Sequence, residues 1–127
     1  MAKILVVDDD RIIRAILRDM LSGAGYDVVQ AADGDKALEL YETDPADLVI
    51  TDLFLPPSGG LALITQLKEA DPKAKIIAIS GVALTDTEVR YETNPGQLAL
   101  ERGALRSFRK PFSKEEMLGA ISELLEA

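Results

Sequence analysis

Three successive carboxylates, Asp8-Asp9-Asp10, a further one at Asp52, a hydroxyl at Ser80 and an ammonium at Lys110 are the residues best suited to chemistry. The sequence contains no cysteine and no histidine. Disulfides, thiolate or imidazole metal sites and histidine general bases are therefore excluded, and carboxylate, hydroxyl and lysine chemistry remains. Carboxylates brought close together repel, and one is pushed toward its neutral form unless a cation joins them. With oxygen ligands alone, Mg²⁺ is the natural cation: it accepts one or two carboxylates, keeps waters and fills its shell with phosphoryl oxygens. A carboxylate held between that ion and an ammonium is an available nucleophile for an activated phosphoryl donor. Lys110 and the Ser80 hydroxyl would then meet the charge on the transferring oxygens.

Taken singly, each of these residues has a plainer reading. Aspartate at a strand-to-helix junction often caps the helix, and Asp10 is read as such a cap. Asp8 and Asp9 alone divide evenly between capping and metal binding, Ser80-Gly81 alone is a turn, and a lone lysine is a solvated charge. The conjunction carries the weight, and it requires a fold that gathers these positions on one rim.

The apolar pattern supplies that fold. Ile4-Leu5-Val6-Val7, Leu48-Val49-Ile50 and Ile76-Ile77-Ala78-Ile79 are short, continuous and branched, as in strands buried on both faces of a parallel sheet. Asp27 to Ala31 and Arg106 to Arg109 are weaker strands, placed by their position between helical segments. Ile12, Ile13, Ile16, Leu17, Met20 and Leu21 repeat at the spacing of one helix face, and Gly23 or Gly25 stops the run. Asp33 caps a helix through Ala37, Leu38 and Tyr41. Leu61, Ile64 and Leu67 mark a helix after the breaker cluster Pro56-Pro57-Ser58-Gly59-Gly60. Met117, Leu118, Ile121, Leu124 and Leu125 mark the last helix, opened by a capping box of Ser113 and Glu116. The order is β-α five times, and right-handed crossovers wind it into a parallel sheet with helices on both faces. In such sheets ligands bind beyond the carboxyl ends of the strands, and there the Asp8-Asp9-Asp10 run, Asp52, Ser80 and Lys110 fall.

The 127 residues make one domain, 1–127, with no repeat or low-complexity linker. An apolar content of 47% with 28% charged residues fits a globular chain. No apolar run approaches the roughly 20 residues that cross a bilayer, and no leader precedes the first strand, so no membrane insertion and a cytoplasmic location are expected. A net charge of −8 argues against direct nucleic-acid binding.

On these residues the sequence resembles the response-regulator receiver domain family over essentially its whole length. Lys3-Ile4-Leu5-Val6-Val7-Asp8-Asp9-Asp10 is similar to the family's first strand and acidic pair. Asp47-Leu48-Val49-Ile50-Thr51-Asp52-Leu53-Phe54-Leu55-Pro56 resembles the phosphoacceptor segment, with Gly60 at the expected place. Ser80 matches the hydroxyl position and Lys110-Pro111-Phe112 the closing motif. The resemblance implies a flavodoxin-like, doubly wound five-stranded sheet of order 2-1-3-4-5. It implies phosphorylation of Asp52, with Mg²⁺ held by Asp8, Asp9, Asp52 and the backbone carbonyl of Phe54, and phosphoryl contacts from Ser80 and Lys110. It also implies a cis Lys110-Pro111 bond, which general frequencies alone would put at about 5%. The chain would then be a signalling switch of a two-component phosphorelay rather than a metabolic enzyme, catalysing its own Mg²⁺-dependent phosphotransfer and dephosphorylation. Its partners would be a sensor histidine kinase or histidine phosphotransfer protein, and a downstream protein target. No residues follow the last helix for an output domain, so output is expected through that target or by relay of the phosphoryl group.

Two departures from the family stand out. The stretch from Ser80 to Lys110 is longer than is typical, with the surplus in Val82 to Thr93, and Asn94-Pro95 reads as the cap and first residue of a short helix reaching Arg102. Where many relatives carry a switching aromatic in the fifth strand, this chain has Ser107. Phe108 is one place off and points to the opposite face, and Tyr91 is read as an ordinary loop residue. Arg11, Arg14 and Arg18 form a helical stripe that reads first as a solvated face paired with nearby acids and second as a kinase contact. Apolar Phe54 and Val82, each two residues past a site position, imply slow loss of phosphate.

Three other readings compete. A nucleotide or flavin module would want a glycine-rich turn where three aspartates stand. A small-molecule phosphatase would want a cap, and its nucleophile on the first strand. A phosphate-independent interaction domain would not need the complete set of Asp8, Asp9, Asp52, Ser80 and Lys110.

Overall fold

The computed structural model describes residues 2–55, 59–81 and 95–126. Its elements alternate as β1 (Lys3–Val7), α1 (Arg11–Gly23), β2 (Asp27–Ala31), α2 (Gly34–Thr43), β3 (Leu48–Asp52), α3 (Gly60–Ala70), β4 (Ile76–Ser80), α4 (Pro95–Arg102), β5 (Arg106–Arg109) and α5 (Lys114–Glu126). The five strands form one parallel sheet in the order β2-β1-β3-β4-β5. β3 and β4 are buried at every residue, which explains their unbroken apolar runs. β2 and β5 are the edges and only partly buried, so their sequences carry weaker strand signals.

Strand residues point alternately to two apolar layers. Ile4, Val6, Leu48, Ile50, Ile77 and Ile79 pack under α1 and α5, against Leu17, Leu21, Met117, Ile121 and Leu124. Leu5, Val7, Val49, Ile76 and Ala78 pack under the other three helices, against Ala37, Tyr41, Leu63, Ile64, Leu67 and Ala99. Full burial of each large aliphatic side chain contributes about 1.5–3 kcal/mol, so each layer is a strong constraint on register.

The helix starts behave as the sequence implies. Asp10 accepts from the Ile12 N–H at 2.9 Å, Asp33 from the Lys36 N–H at 2.8 Å, and the Ser113 hydroxyl from the Glu116 N–H at 3.1 Å. The Ser113 hydroxyl in turn donates to Glu115 at 3.2 Å. α1 ends at Gly23, and Gly25 takes the left-handed turn at φ 96°. Asn94, Tyr91, Val82 and the rest of the surplus stretch lie outside the described residues.

One expectation needs correction. The six apolar positions of α1 do not all face the core: Ile12 and Ile16 are 68% and 51% exposed. At 3.6 residues per turn those six positions sweep about 180° of helix surface. The sheet covers only the half holding Ile13, Leu17, Met20 and Leu21.

Candidate functional site

The parallel register places the reactive residues together. Val7 pairs with Thr51, so Asp8 and Asp52 stand side by side at the ends of β1 and β3. Ser80 pairs with Arg109, so Lys110 follows at the end of β5, its N–H bonded to the Ser80 carbonyl at 2.9 Å. Lys110 crosses the rim: its Nζ donates to Asp8 Oδ2 at 3.0 Å and to Asp52 Oδ2 at 3.1 Å.

Each of the two carboxylates uses its other oxygen on backbone. Asp8 Oδ1 accepts from the Asp10 N–H at 2.9 Å, and Asp52 Oδ1 from the Phe54 N–H at 3.0 Å. Asp8, Asp52 and Ser80 are buried, whereas Asp9 is exposed. Even so, Asp8, Asp9 and Asp52 each bring one carboxylate oxygen to within 4.8 Å of the others. The group is formally three negative charges against one ammonium, a net deficit of two.

The electrostatics follow from that imbalance. Burial pushes the Asp8 carboxyl above its ordinary range. The Asp10 N–H and Lys110 oppose the shift, and the charge on Asp52 adds to it. For Lys110 burial works against the ammonium, but the hydrogen bond to Asp8 and the charges of Asp52 and Asp8 outweigh it and raise its pKa. The ammonium is therefore fixed in its charged form between two carboxylates. The Lys110-Pro111 peptide bond is cis.

The donor set is oxygen-only, clustered and net negative, which suits a hard divalent cation that keeps some of its waters. The family model of the response regulator receiver domain matches residues 4–122. The chain belongs to that family. Receiver domains are signalling domains of two-component systems that bind Mg²⁺ through acidic residues and meet histidine kinases or phosphotransfer proteins.

Relatives of this receiver domain include a probable transcriptional regulator, ycf27, of Porphyridium aerugineum, 40% identical over 124 residues. That match covers 97% of this chain but 48% of the relative. Sporulation initiation phosphotransferase F of Bacillus subtilis is 32% identical over 123 residues, covering 97% of this chain and 93% of that protein. The chain thus spans about half the length of the first and nearly all of the second. Among solved structures, a response regulator from Chloroflexus aurantiacus superposes with a TM-score of 0.87 at 26% identity, covering 99% of this chain and 98% of that one. The observed strand order is the one the resemblance implies.

Three features of the receiver domain's surroundings were only partly legible. Gly60 opens α3 so close to β3 that a Cβ there would lie 2.2 Å from the Asp52 carbonyl oxygen and 2.6 Å from the Leu53 Cα. Its placement in the motif was visible; the reason, close backbone approach behind Asp52, is structural. The arginine stripe divides: Arg18 pairs with Asp19 at 3.0 Å, but Arg14 turns inward and donates from Nη1 to the Asp8 carbonyl at 2.7 Å. In β5, Ser107 pairs with Ala78, a residue of the layer under α4, and Phe108 packs in the layer under α1 and α5. The aromatic is on the opposite face from the serine, as its offset implies.

Proposed function

We propose that this chain is a phosphoacceptor switch whose nucleophile is the Asp52 carboxylate. The observation that carries the reading is a pair of buried carboxylates from adjacent strands sharing one lysine, with a third carboxylate in reach. Asp8, Asp9, Asp52 and the Phe54 carbonyl would hold Mg²⁺. When bound, that ion supplies neutralising charge for the phosphoryl oxygens.

The chain's own residues do the rest. An Asp52 oxygen forms a bond to phosphorus as the phosphorus–nitrogen bond of a phosphohistidine donor breaks, and the donor imidazole leaves with that electron pair. Lys110, already bonded to Asp52, turns to a phosphoryl oxygen, and Ser80 at the adjacent strand end donates to another. The added charge, nearly two units, is felt at Ser80, the loop that follows it, α4 and β5. That surface would regulate a downstream protein or pass the phosphoryl group on.

The donor is a sensor histidine kinase or histidine phosphotransfer protein, and α1 suits its docking. Ile12 and Ile16 are exposed, and Ile13, Ile16, Gly81, Lys110, Pro111 and Phe112 line a groove of about 460 Å³ beside the acidic rim. Among the described residues no helix is long and apolar enough to cross a membrane; the exchange would take place in the cytoplasm.

Intact-mass spectrometry after incubation with acetyl phosphate and Mg²⁺ tests the reading. A gain of about 80 Da, one phosphoryl group, is expected, and it should vanish with a chelator and in Asp52→Asn. No gain in the wild type with Mg²⁺ present would favour a phosphate-independent interaction domain.

A further inference from the structure

We infer that Arg14 is a positioning residue for the metal site: its bond to the Asp8 carbonyl fixes the acidic turn and thereby sets the site's affinity for a divalent cation. The inference rests on the metal-binding reading above and adds a residue outside the ligand set.

The turn from Asp8 to Asp10 is held at both ends by this one side chain and its own backbone. The half-buried Arg14 guanidinium donates to the Asp8 carbonyl at 2.7 Å, the short end of the charge-assisted range. The Arg14 N–H donates to the Asp10 carbonyl at 3.0 Å. Within the turn, Asp8 Oδ1 takes the Asp10 N–H. Asp9 sits at the tip, exposed, and its carboxylate has no hydrogen-bond partner among the described residues. Its approach to Asp8 and Asp52 therefore comes from the backbone that carries it, and Arg14 pins that backbone. Groups that orient metal ligands from behind typically change affinity about 10–100-fold when removed.

The sign of the effect separates this role from a purely electrostatic one. A guanidinium near a site for a divalent cation repels that cation, so deleting its charge alone would tighten binding. Deleting a positioning bond loosens the turn and weakens binding. The two roles predict opposite outcomes for the same variant.

The test is calorimetric titration of Mg²⁺ alone into wild type, Arg14→Met and Arg14→Lys, with thermal unfolding of each metal-free protein as a second readout. Arg14→Met should bind Mg²⁺ about tenfold more weakly. Arg14→Lys, which can still donate one bond to the carbonyl, should recover part of the loss. The acetyl phosphate reaction of Arg14→Met should need more Mg²⁺ yet reach the wild-type rate at saturation. Equal or tighter binding by Arg14→Met would overturn the inference. So would a fall in metal-free unfolding temperature with Mg²⁺ affinity unchanged, the signature of a simple brace. Should Arg14→Met not fold, Arg14→Leu, which likewise has no donor, replaces it with the same expected loss. A wild-type protein that takes up no Mg²⁺ would defeat the metal-site reading itself, and this inference with it.

Discussion

The two rims of the sheet use the same residue types to opposite ends. At the rim where the strands begin, several polar side chains have partners. Lys3 pairs with Asp44, the Lys3 N–H reaches Asp47 at 2.7 Å, Tyr41 reaches Asp71 at 2.8 Å, and Lys75 caps α5 through the Leu124 carbonyl at 2.6 Å. At the rim where they end, Asp8 and Asp52 are buried and must share Lys110. Asp71 is consequently held below the ordinary carboxylate range by the Tyr41 hydroxyl, whereas Asp8 is pushed above it by burial. A carboxylate with a partner and water stabilises the fold, and a carboxylate buried with too little opposing charge costs it free energy.

The largest expected effect attacks the backbone behind that second rim. Gly60→Ala puts a methyl group 2.2 Å from the Asp52 carbonyl oxygen, so α3 or the end of β3 must move. A loss of about 3 kcal/mol or more is expected from overpacking of this kind, together with slower labelling of Asp52 by acetyl phosphate. Urea unfolding alongside labelling measures both, and a variant with wild-type stability would contradict the close approach.

Next comes the metal itself. A ligand that binds only the folded chain stabilises it by about 2.7 kcal/mol at a concentration 100-fold above its dissociation constant. Mg²⁺ should raise the unfolding temperature of wild type, and Asp9→Asn should lose most of that rise. The pair at the opposite rim should not matter: Tyr41→Phe ought to respond to Mg²⁺ as wild type does.

Removing one charge sharpens the contrast without metal. The pKa of Asp8 is raised in the fold above its ordinary value of 3.8. Its stabilising contribution is therefore complete below that value and lost as pH rises through the elevated one. Asp8→Asn mimics the neutral form, so at neutral pH the metal-free variant should be more stable than wild type. The gap should close on acidification toward pH 3.8. The same variant should lose the response to Mg²⁺. Lower metal-free stability at pH 7 would show that the bond to Lys110 outweighs the cost of burial.

Most of this arrangement was legible in the sequence because parallel strands are marked by continuous apolar runs and their ends are fixed by register. Asp8, Asp52 and Ser80 each follow or close such a run, Lys110 follows the weaker edge strand β5, and the structure brings them together. The helix faces were less legible. An apolar stripe shows which residues dislike water, not how much of the helix the sheet will cover, so Ile12 and Ile16 share the stripe of Leu17 and Leu21 although they remain exposed. Arg14 shows the converse. Spacing places it with Arg11 and Arg18, yet on the helical wheel it lies about 20° from Leu21, near enough to the buried side to turn toward Asp8. Its bond is to a backbone carbonyl, and no side-chain pattern announces a carbonyl acceptor. Gly60 is similar: a glycine in a breaker cluster reads as a turn, and the proximity of the Asp52 backbone is a tertiary fact.

The smallest expected effect tests the well-partnered rim. Tyr41 is buried under α2, and its hydroxyl donates to Asp71, the residue that closes α3. Burial raises the phenol pKa, as do the bond to Asp71 and the nearby charges of Asp71 and Asp47, so the donor proton is secure at neutral pH. The Asp71 pKa is lowered first by that hydroxyl and then by the Lys73 N–H. A lowered carboxylate contributes stability that is present above its unfolded value of 3.8 and lost as pH falls through the folded one. Tyr41→Phe should therefore lower the unfolding temperature at pH 7 by less than Asp8→Asn raises it, since Asp71 stays in contact with water. The deficit should narrow as pH falls from 3.8 through the lowered folded value, where Asp71 becomes protonated and the wild type loses the same bond strength. A deficit that stays constant down to pH 2 would mean that the hydroxyl serves packing rather than the carboxylate, and the rims would differ less than their hydrogen bonds imply.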